Sequence, residues 1–129
     1  MKAYWDSSAL VQSLADPELQ RRLRRERGFT RSHALAETYS ALTGNPVTRV
    51  NADDAAEFVK SLSQSLDFVE IIVPEILSAL KMARQKGVRG GRVHDYLHAL
   101  AAEKSGARNI LTLDKNDFIG ITSLAVEQA

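Results

Sequence analysis

Lys2-Ala3-Tyr4-Trp5-Asp6-Ser7-Ser8-Ala9-Leu10 takes the chain from an extended apolar run through a polar turn and directly into a helical pattern. Lys2 to Trp5 reads as a short strand. The side-chain oxygens of Asp6, Ser7 and Ser8 suit the open N–H groups at the start of a helix over Ala9 to Leu14. Asp16-Pro17-Glu18 then supplies a cap, a proline at the first helical position and a first-turn acid, which predicts a second helix to about Arg27, stopped by Gly28. Ser32 caps a third helix, His33 to about Thr43, closed by Gly44 and the Asn45-Pro46 turn.

Asn51-Ala52-Asp53-Asp54 opens a fourth helix that carries Ala55, Phe58, Val59, Leu62 and Leu66 at helical spacing. The β-branched run Phe68 to Val73 reads as the second strand. Pro74-Glu75 starts a fifth helix ending near Gly87, and a sixth spans about Arg92 to Ser105 with Gly106 as its stop. Asn109 to Leu113 is a third strand and Ile121 to Val126 a fourth. Strands separated by helices imply parallel β-α-β units, so the expected fold is α/β: a three-layer α/β/α sandwich around a small, mostly parallel sheet.

The chain has 129 residues, which predicts one domain over 1–129 with a core that needs no disulfide or metal staple. Seventeen Lys and Arg against sixteen Asp and Glu leave a net charge of +1, so bulk charge does not mark a nucleic-acid binder. With no cysteine, thiolate metal sites and cysteine nucleophiles are excluded, and a reducing compartment is the natural expectation. Asp6 interrupts any apolar leader, and the most apolar stretch, Phe68 to Leu77, contains Glu70 and Glu75 and is far shorter than a membrane span. A soluble, cytoplasmic protein without membrane partners is expected.

In parallel sheets, functional groups gather beyond the carboxyl ends of the strands. Asp6 follows the first strand and Asp114 follows Asn109-Ile110-Leu111-Thr112-Leu113. Glu37 lies in a helix whose same-face neighbours His33, Ala34, Ser40 and Ala41 are mostly small. Asp95 begins a helix beside Gly91, His98, Ala99 and Ala102. Each acid alone has a plain structural reading, as a cap, a solvated side chain or a complement to the helix dipole.

Taken in order, Asp6-Ser7-Ser8-Ala9-Leu10, Ala36-Glu37, His94-Asp95-Tyr96 and Leu111-Thr112-Leu113-Asp114-Lys115-Asn116-Asp117-Phe118 resemble the PIN domain, over about Lys2 to Val126. Length, element order and the closing Thr-x-Asp-x-x-Asp-Phe segment are similar to the VapC-like ribonuclease toxins of type II toxin–antitoxin pairs. The resemblance implies a catalytic cluster of Asp6, Glu37, Asp95 and Asp114. Asp6, Asp95 and Asp114 would be the metal ligands, joined by Glu37 or by Asp117, a fifth member or a substitute for Asp114. Ser8 and Thr112 match polar positions that order the metal or the catalytic water. Trp5 departs from the family, where an aliphatic residue is more usual.

Several carboxylates in one cavity need a counter-charge. A pair ~4 Å apart repels by about 4 kcal/mol at an effective dielectric of ~20. An all-oxygen donor set selects Mg²⁺, with Mn²⁺ as substitute. The chemistry implied is hydrolysis of RNA phosphodiester bonds, leaving a 3′-hydroxyl and a 5′-phosphate. The resemblance further implies a homodimer and a cognate antitoxin that blocks the active-site groove.

Arg21, Arg22, Arg24, Arg25 and Arg27 form the sharpest charge feature. A solvated helix face is the plain reading, and contact of Arg21, Arg22, Arg24 and Arg25 with RNA or an acidic partner is the functional one, with Lys81, Arg92 and Lys115 as further candidates. His33, His94 and His98 lack a helical zinc spacing and a third strong ligand, so they are assigned as surface or supporting residues. Tyr4, Trp5, Tyr39, Phe58 and Phe68 are assigned to the core or its rim. A receiver-like phospho-acceptor needs an acceptor Asp after a central strand, where Pro74-Glu75 stands, and Asp6-Ser7-Ser8 lacks the second acid of an Asp-x-Asp phosphatase. The remaining alternative is a non-catalytic module of the same fold that binds RNA or protein.

Overall fold

The computed structural model describes residues 2–47 and 49–129. Its strands are β1 (Tyr4–Trp5), β2 (Gly28–Thr30), β3 (Leu66–Phe68), β4 (Asn109–Thr112) and β5 (Ala125–Gln128). Its helices are α1 (Ser7–Ser13), α2 (Pro17–Glu26), α3 (His33–Gly44), α4 (Ala52–Ser63), α5 (Val73–Gln85) and α6 (Arg92–Ser105), with a 3-10 turn at Lys115–Phe118. The five strands form one sheet in the order β3-β2-β1-β4-β5, and every pairing is parallel. The α/β expectation is borne out, and the sheet is wholly rather than mostly parallel.

Successive strand residues face opposite sides of a sheet, and here that alternation builds two cores. Tyr4 and Ile110 join Ala79, Ala83, Tyr96, Ala99 and Phe118 on the side covered by α5 and α6. Ala3, Trp5 and Leu111 join Ala9, Leu10, Leu19, Leu23, Ala34 and Leu62 on the side covered by α1 to α4. Three layers result. The fully buried alanines of α6, Ala99, Ala101 and Ala102, bring that helix close to the sheet and so bring Asp95 and His98 close to the strand ends.

Three elements differ from the sequence-based expectation. Strand β2 falls between the predicted second and third helices, and its three residues are too few to show a period. Strand β3 ends at Phe68 instead of running to Val73. Its partner among the described residues, β2, ends at Thr30, so the backbone beyond makes one more bond, Val69 N–H to Thr30 O at 2.8 Å, and leaves the sheet. Glu75 then accepts from Ile72 N–H at 3.0 Å and Val73 begins α5. Strand β5 begins at Ala125, because Ile121 is instead buried among the residues of the α5/α6 core.

The helix starts follow their caps. Asp16 accepts from the N–H groups of Glu18 and Leu19, and Asn51 from that of Asp54. Ser32 makes no side-chain cap bond; its own N–H donates to Glu70 at 2.9 Å. At the end of α2 the residue with positive φ is Arg27 (59°), not Gly28. Gly28 is required for another reason: a Cβ there would lie 2.6 Å from Cδ1 of buried Trp5. The bulk of Trp5, the departure noted in the sequence, is accommodated by a missing side chain on the neighbouring strand.

Candidate active site

The direction of strand order changes between β1 and β4, since the chain moves outward from β1 to β2 and β3 on one side and from β4 to β5 on the other. Such a reversal opens a crevice at the carboxyl ends of the strands. Asp6 stands at the end of β1. It is only 4% exposed, and both oxygens of its carboxylate accept hydrogen bonds. Oδ1 accepts from Ser8 Oγ at 2.7 Å and from Ala9 N–H at 2.9 Å, and Oδ2 accepts from Thr112 Oγ1 at 2.6 Å. Ser8 Oγ and Thr112 Oγ1 lie 3.2 Å apart, so the two hydroxyls form one bracket across β1 and β4.

Glu37 approaches from α3, half-buried. Its Oε1 pairs with His98 Nε2 at 2.9 Å, and the Nδ1 of the same ring pairs with Tyr4 Oη at 2.7 Å. Burial raises the proton affinity of the Tyr4 phenol, so it stays protonated. Tyr4 and Glu37 thus hold the His98 ring from its two nitrogens. Burial pushes the Glu37 pKa up, but the bond to His98 and the charges of His98, His33 and Arg31 outweigh it and hold the carboxyl below its ordinary value.

Asp95 behaves in the opposite way. Burial, and then the negative charges of Asp117, Asp6 and Glu37, push its pKa up to about 6, against the opposing influence of His98. Asp117 is also raised, by burial and by Asp114 and Asp6, with Arg92 opposing. Asp117, Asp6 and Glu37 thus all act electrostatically on Asp95. Asp114 is exposed, and its side chain caps the 3-10 turn by accepting from Asn116 N–H at 2.9 Å. It reaches the cluster through its effect on Asp117, which makes Asp117 the stronger candidate ligand of the two.

The donor chemistry fits a hard divalent cation. Asp6, Asp95 and Asp117 offer carboxylate oxygens, and Asp95 and Asp117, raised by burial and by neighbouring negative charge, would gain from a cation beside them. A family model described as PIN domain matches residues 3–122.

The chain belongs to the PIN domain family. PIN domains are generally nucleases and usually use a divalent metal. The chain is similar in fold to a solved structure titled as the crystal structure of PAE2754 from Pyrobaculum aerophilum. The TM-score is 0.67 at 21% identity, over 98% of this chain and 83% of that one. No match was found among curated proteins. No helix among the described residues is long and apolar enough to cross a membrane.

Of the arginines singled out in the sequence of this PIN domain, Arg21, Arg22, Arg24 and Arg25 stand on α2, which ends just before β2 and contacts, through Glu26, Arg108 just before β4. Arg22 bridges α2 and β5 by pairing with Glu26 at 2.9 Å and, through two nitrogens, with Glu127, so it is engaged inside the protein rather than offered to a polyanion. Arg21 pairs with Glu18, and Arg25 lies 3.7 Å from Glu26. Arg24 is exposed. Arg31 carries no signal in the sequence, yet it follows β2 directly at the same sheet edge. Its charge acts on Tyr4 and Glu37, and its Nη1 is buried without a hydrogen-bond partner.

The histidines divide between a buried supporting position and the surface. His98 is 2% exposed and holds Glu37. His33 and His94 are exposed, and their donor atoms and one of Glu37 lie within 4.8 Å of one another. Tyr39 and Phe68 are exposed rather than core.

Proposed function

We propose that this PIN domain is a Mg²⁺-dependent endoribonuclease, with Mn²⁺ as substitute, and the toxin of a type II toxin–antitoxin pair. The reading is carried by Asp6 at the switch point of the sheet together with Asp95, whose pKa is pushed up to about 6 by burial and then by the negative charges of Asp117, Asp6 and Glu37. Asp6, Asp95 and Asp117 would hold the cation. When bound, it neutralises charge on the phosphate oxygens and makes water a better nucleophile.

The remaining work falls to the chain itself. Ser8 and Thr112 fix both oxygens of Asp6, so its orientation costs nothing when substrate arrives. Glu37, ionised and tied through one oxygen to His98, keeps the other free to accept from the attacking water. Arg31 adds positive charge where a polyanion must enter, and exposed Arg24 and Arg25 are available to an RNA backbone.

The toxin role, the antitoxin and the homodimer rest on the similarity of the sequence to VapC-like proteins. One feature of the surface suits a second chain: Ile72, Val73, Leu77, Leu80 and Met82 are exposed around α5, more apolar surface than a solitary helix face usually shows.

Inducible expression in a bacterial host tests the reading. The wild type should arrest growth and generate RNA fragments with 5′-phosphate and 3′-hydroxyl ends, and Asp6→Asn should do neither. Unaffected growth and intact RNA in cells that accumulate folded protein would favour the non-catalytic binding module.

A further inference from the structure

His33 and Glu37 are four residues apart and share one face of α3, and His94 enters from the first turn of α6. Their donor atoms lie within 4.8 Å of one another. The two imidazole rings are nearly parallel, with centroids 6.4 Å apart and planes at 20°. They line an open depression of about 480 Å³ with Ala36, Ser40 and Ala41, whose short side chains leave room above the Glu37 carboxylate. Behind it, Oε1 of Glu37 is held by buried His98, as the outer partners of metal-binding carboxylates commonly are.

We propose that His33, Glu37 and His94 form a second metal site, for a borderline transition cation of the Zn²⁺ class, distinct from the all-oxygen site of Asp6, Asp95 and Asp117. Two imidazole nitrogens and one carboxylate oxygen match the three-protein-ligand set of open Zn²⁺ sites and are poor ligands for Mg²⁺. Around Zn²⁺ the donors would stand about 3.3 Å apart in tetrahedral geometry. His33 and His94 are exposed, so rotation of their side chains is the movement that would bring the donors to that spacing. Three protein ligands leave a fourth position facing the depression, open to water or a phosphate oxygen. The inference touches the nuclease reading only through Glu37, which both sites use.

The plain competitor is a pair of imidazoles that simply neutralise Glu37. Titration with Co²⁺ in excess Mg²⁺, followed by visible absorption and then Zn²⁺ competition, separates the two. The expected result is one equivalent of bound Co²⁺, displaced by stoichiometric Zn²⁺ but not by Mg²⁺. His33→Gln and His94→Gln should each weaken it by at least about tenfold, while Asp95→Asn leaves it within about twofold. The proposal is overturned if folded protein binds no Co²⁺ under these conditions, or if the bound ion survives the double histidine substitution and is lost in Asp95→Asn. Mg²⁺-dependent RNA cleavage is measured on the same preparations. Cleavage without Co²⁺ binding overturns the second site and leaves the nuclease reading standing. Co²⁺ binding without cleavage overturns the nuclease reading and leaves the second site.

Discussion

Thr112 donates its hydroxyl proton to Asp6 Oδ2 across 2.6 Å, between adjacent strands whose register sets Trp5 against Leu111. The bond joins β1 and β4 at the switch point of the sheet. Thr112→Val keeps the shape and removes the donor, leaving one carboxylate oxygen of a buried acid unpaired. The expected cost is about 2 kcal/mol in denaturant unfolding, together with a marked loss of RNA cleavage. Thr112→Ser, which restores a hydroxyl, should recover most of both.

Asp95 is a site where function opposes stability. Its folded pKa, about 6, is above its ordinary value of 3.8. Its favourable contribution is therefore fully present below about pH 3.8 and lost as pH rises through about 6, where the native state must hold the ionised carboxylate beside Asp117, Asp6 and Glu37. Asp95→Asn should abolish cleavage yet stabilise the metal-free protein. Allowing for solvent screening of a half-exposed carboxyl, the gain is about 1 kcal/mol above pH 7 and vanishes near pH 4. Thermal unfolding in chelator at the two pH values measures it.

Tyr4 acts on the site at one remove. Tyr4→Phe deprives the buried Nδ1 of His98 of its partner, at a cost of about 1–2 kcal/mol, and loosens the ring that orients Glu37. Cleavage should fall in kcat, with KM little changed, because the substrate contacts remain. Substituting His98 itself by Gln should cost roughly tenfold or more in kcat.

Gly28 and Trp5 are a matched pair. Gly28→Ala places a Cβ 2.6 Å from Trp5 Cδ1, and the indole is fully buried with no route outward. A loss of about 1–3 kcal/mol is expected, with a changed Trp5 fluorescence spectrum. The double substitution Gly28→Ala, Trp5→Leu should recover part of the loss, since the smaller side chain clears the new methyl group.

The layered fold was legible because its long helices announce their ends: Asp16-Pro17, Asn51 and Gly106 each act at the terminus where they stand in the sequence. What escaped was short or dictated by a neighbour. Strand β2 has three residues, and β3 stops where β2 stops, a limit that the β-branched run after Phe68 does not reveal. The acids could be ordered by resemblance to a family. That Asp117 rather than Asp114 bears most on Asp95 depends on the 3-10 turn, which turns one side chain into a cap. The link from Tyr4 through His98 to Glu37 joins positions 94 and 61 residues apart, so only packing of α6 against α3 and β1 creates it. Arg31 and the grouping of His33 with His94 were hidden for the same reason.

The most direct test of the central claim is cleavage of a mixed cellular RNA by the purified protein with Mg²⁺, with Mn²⁺, with chelator, and with Asp6→Asn in parallel. The account predicts cutting that requires both the cation and Asp6. Cutting that persists in chelator or in Asp6→Asn, or no cutting by folded protein freed of any bound partner, would contradict it.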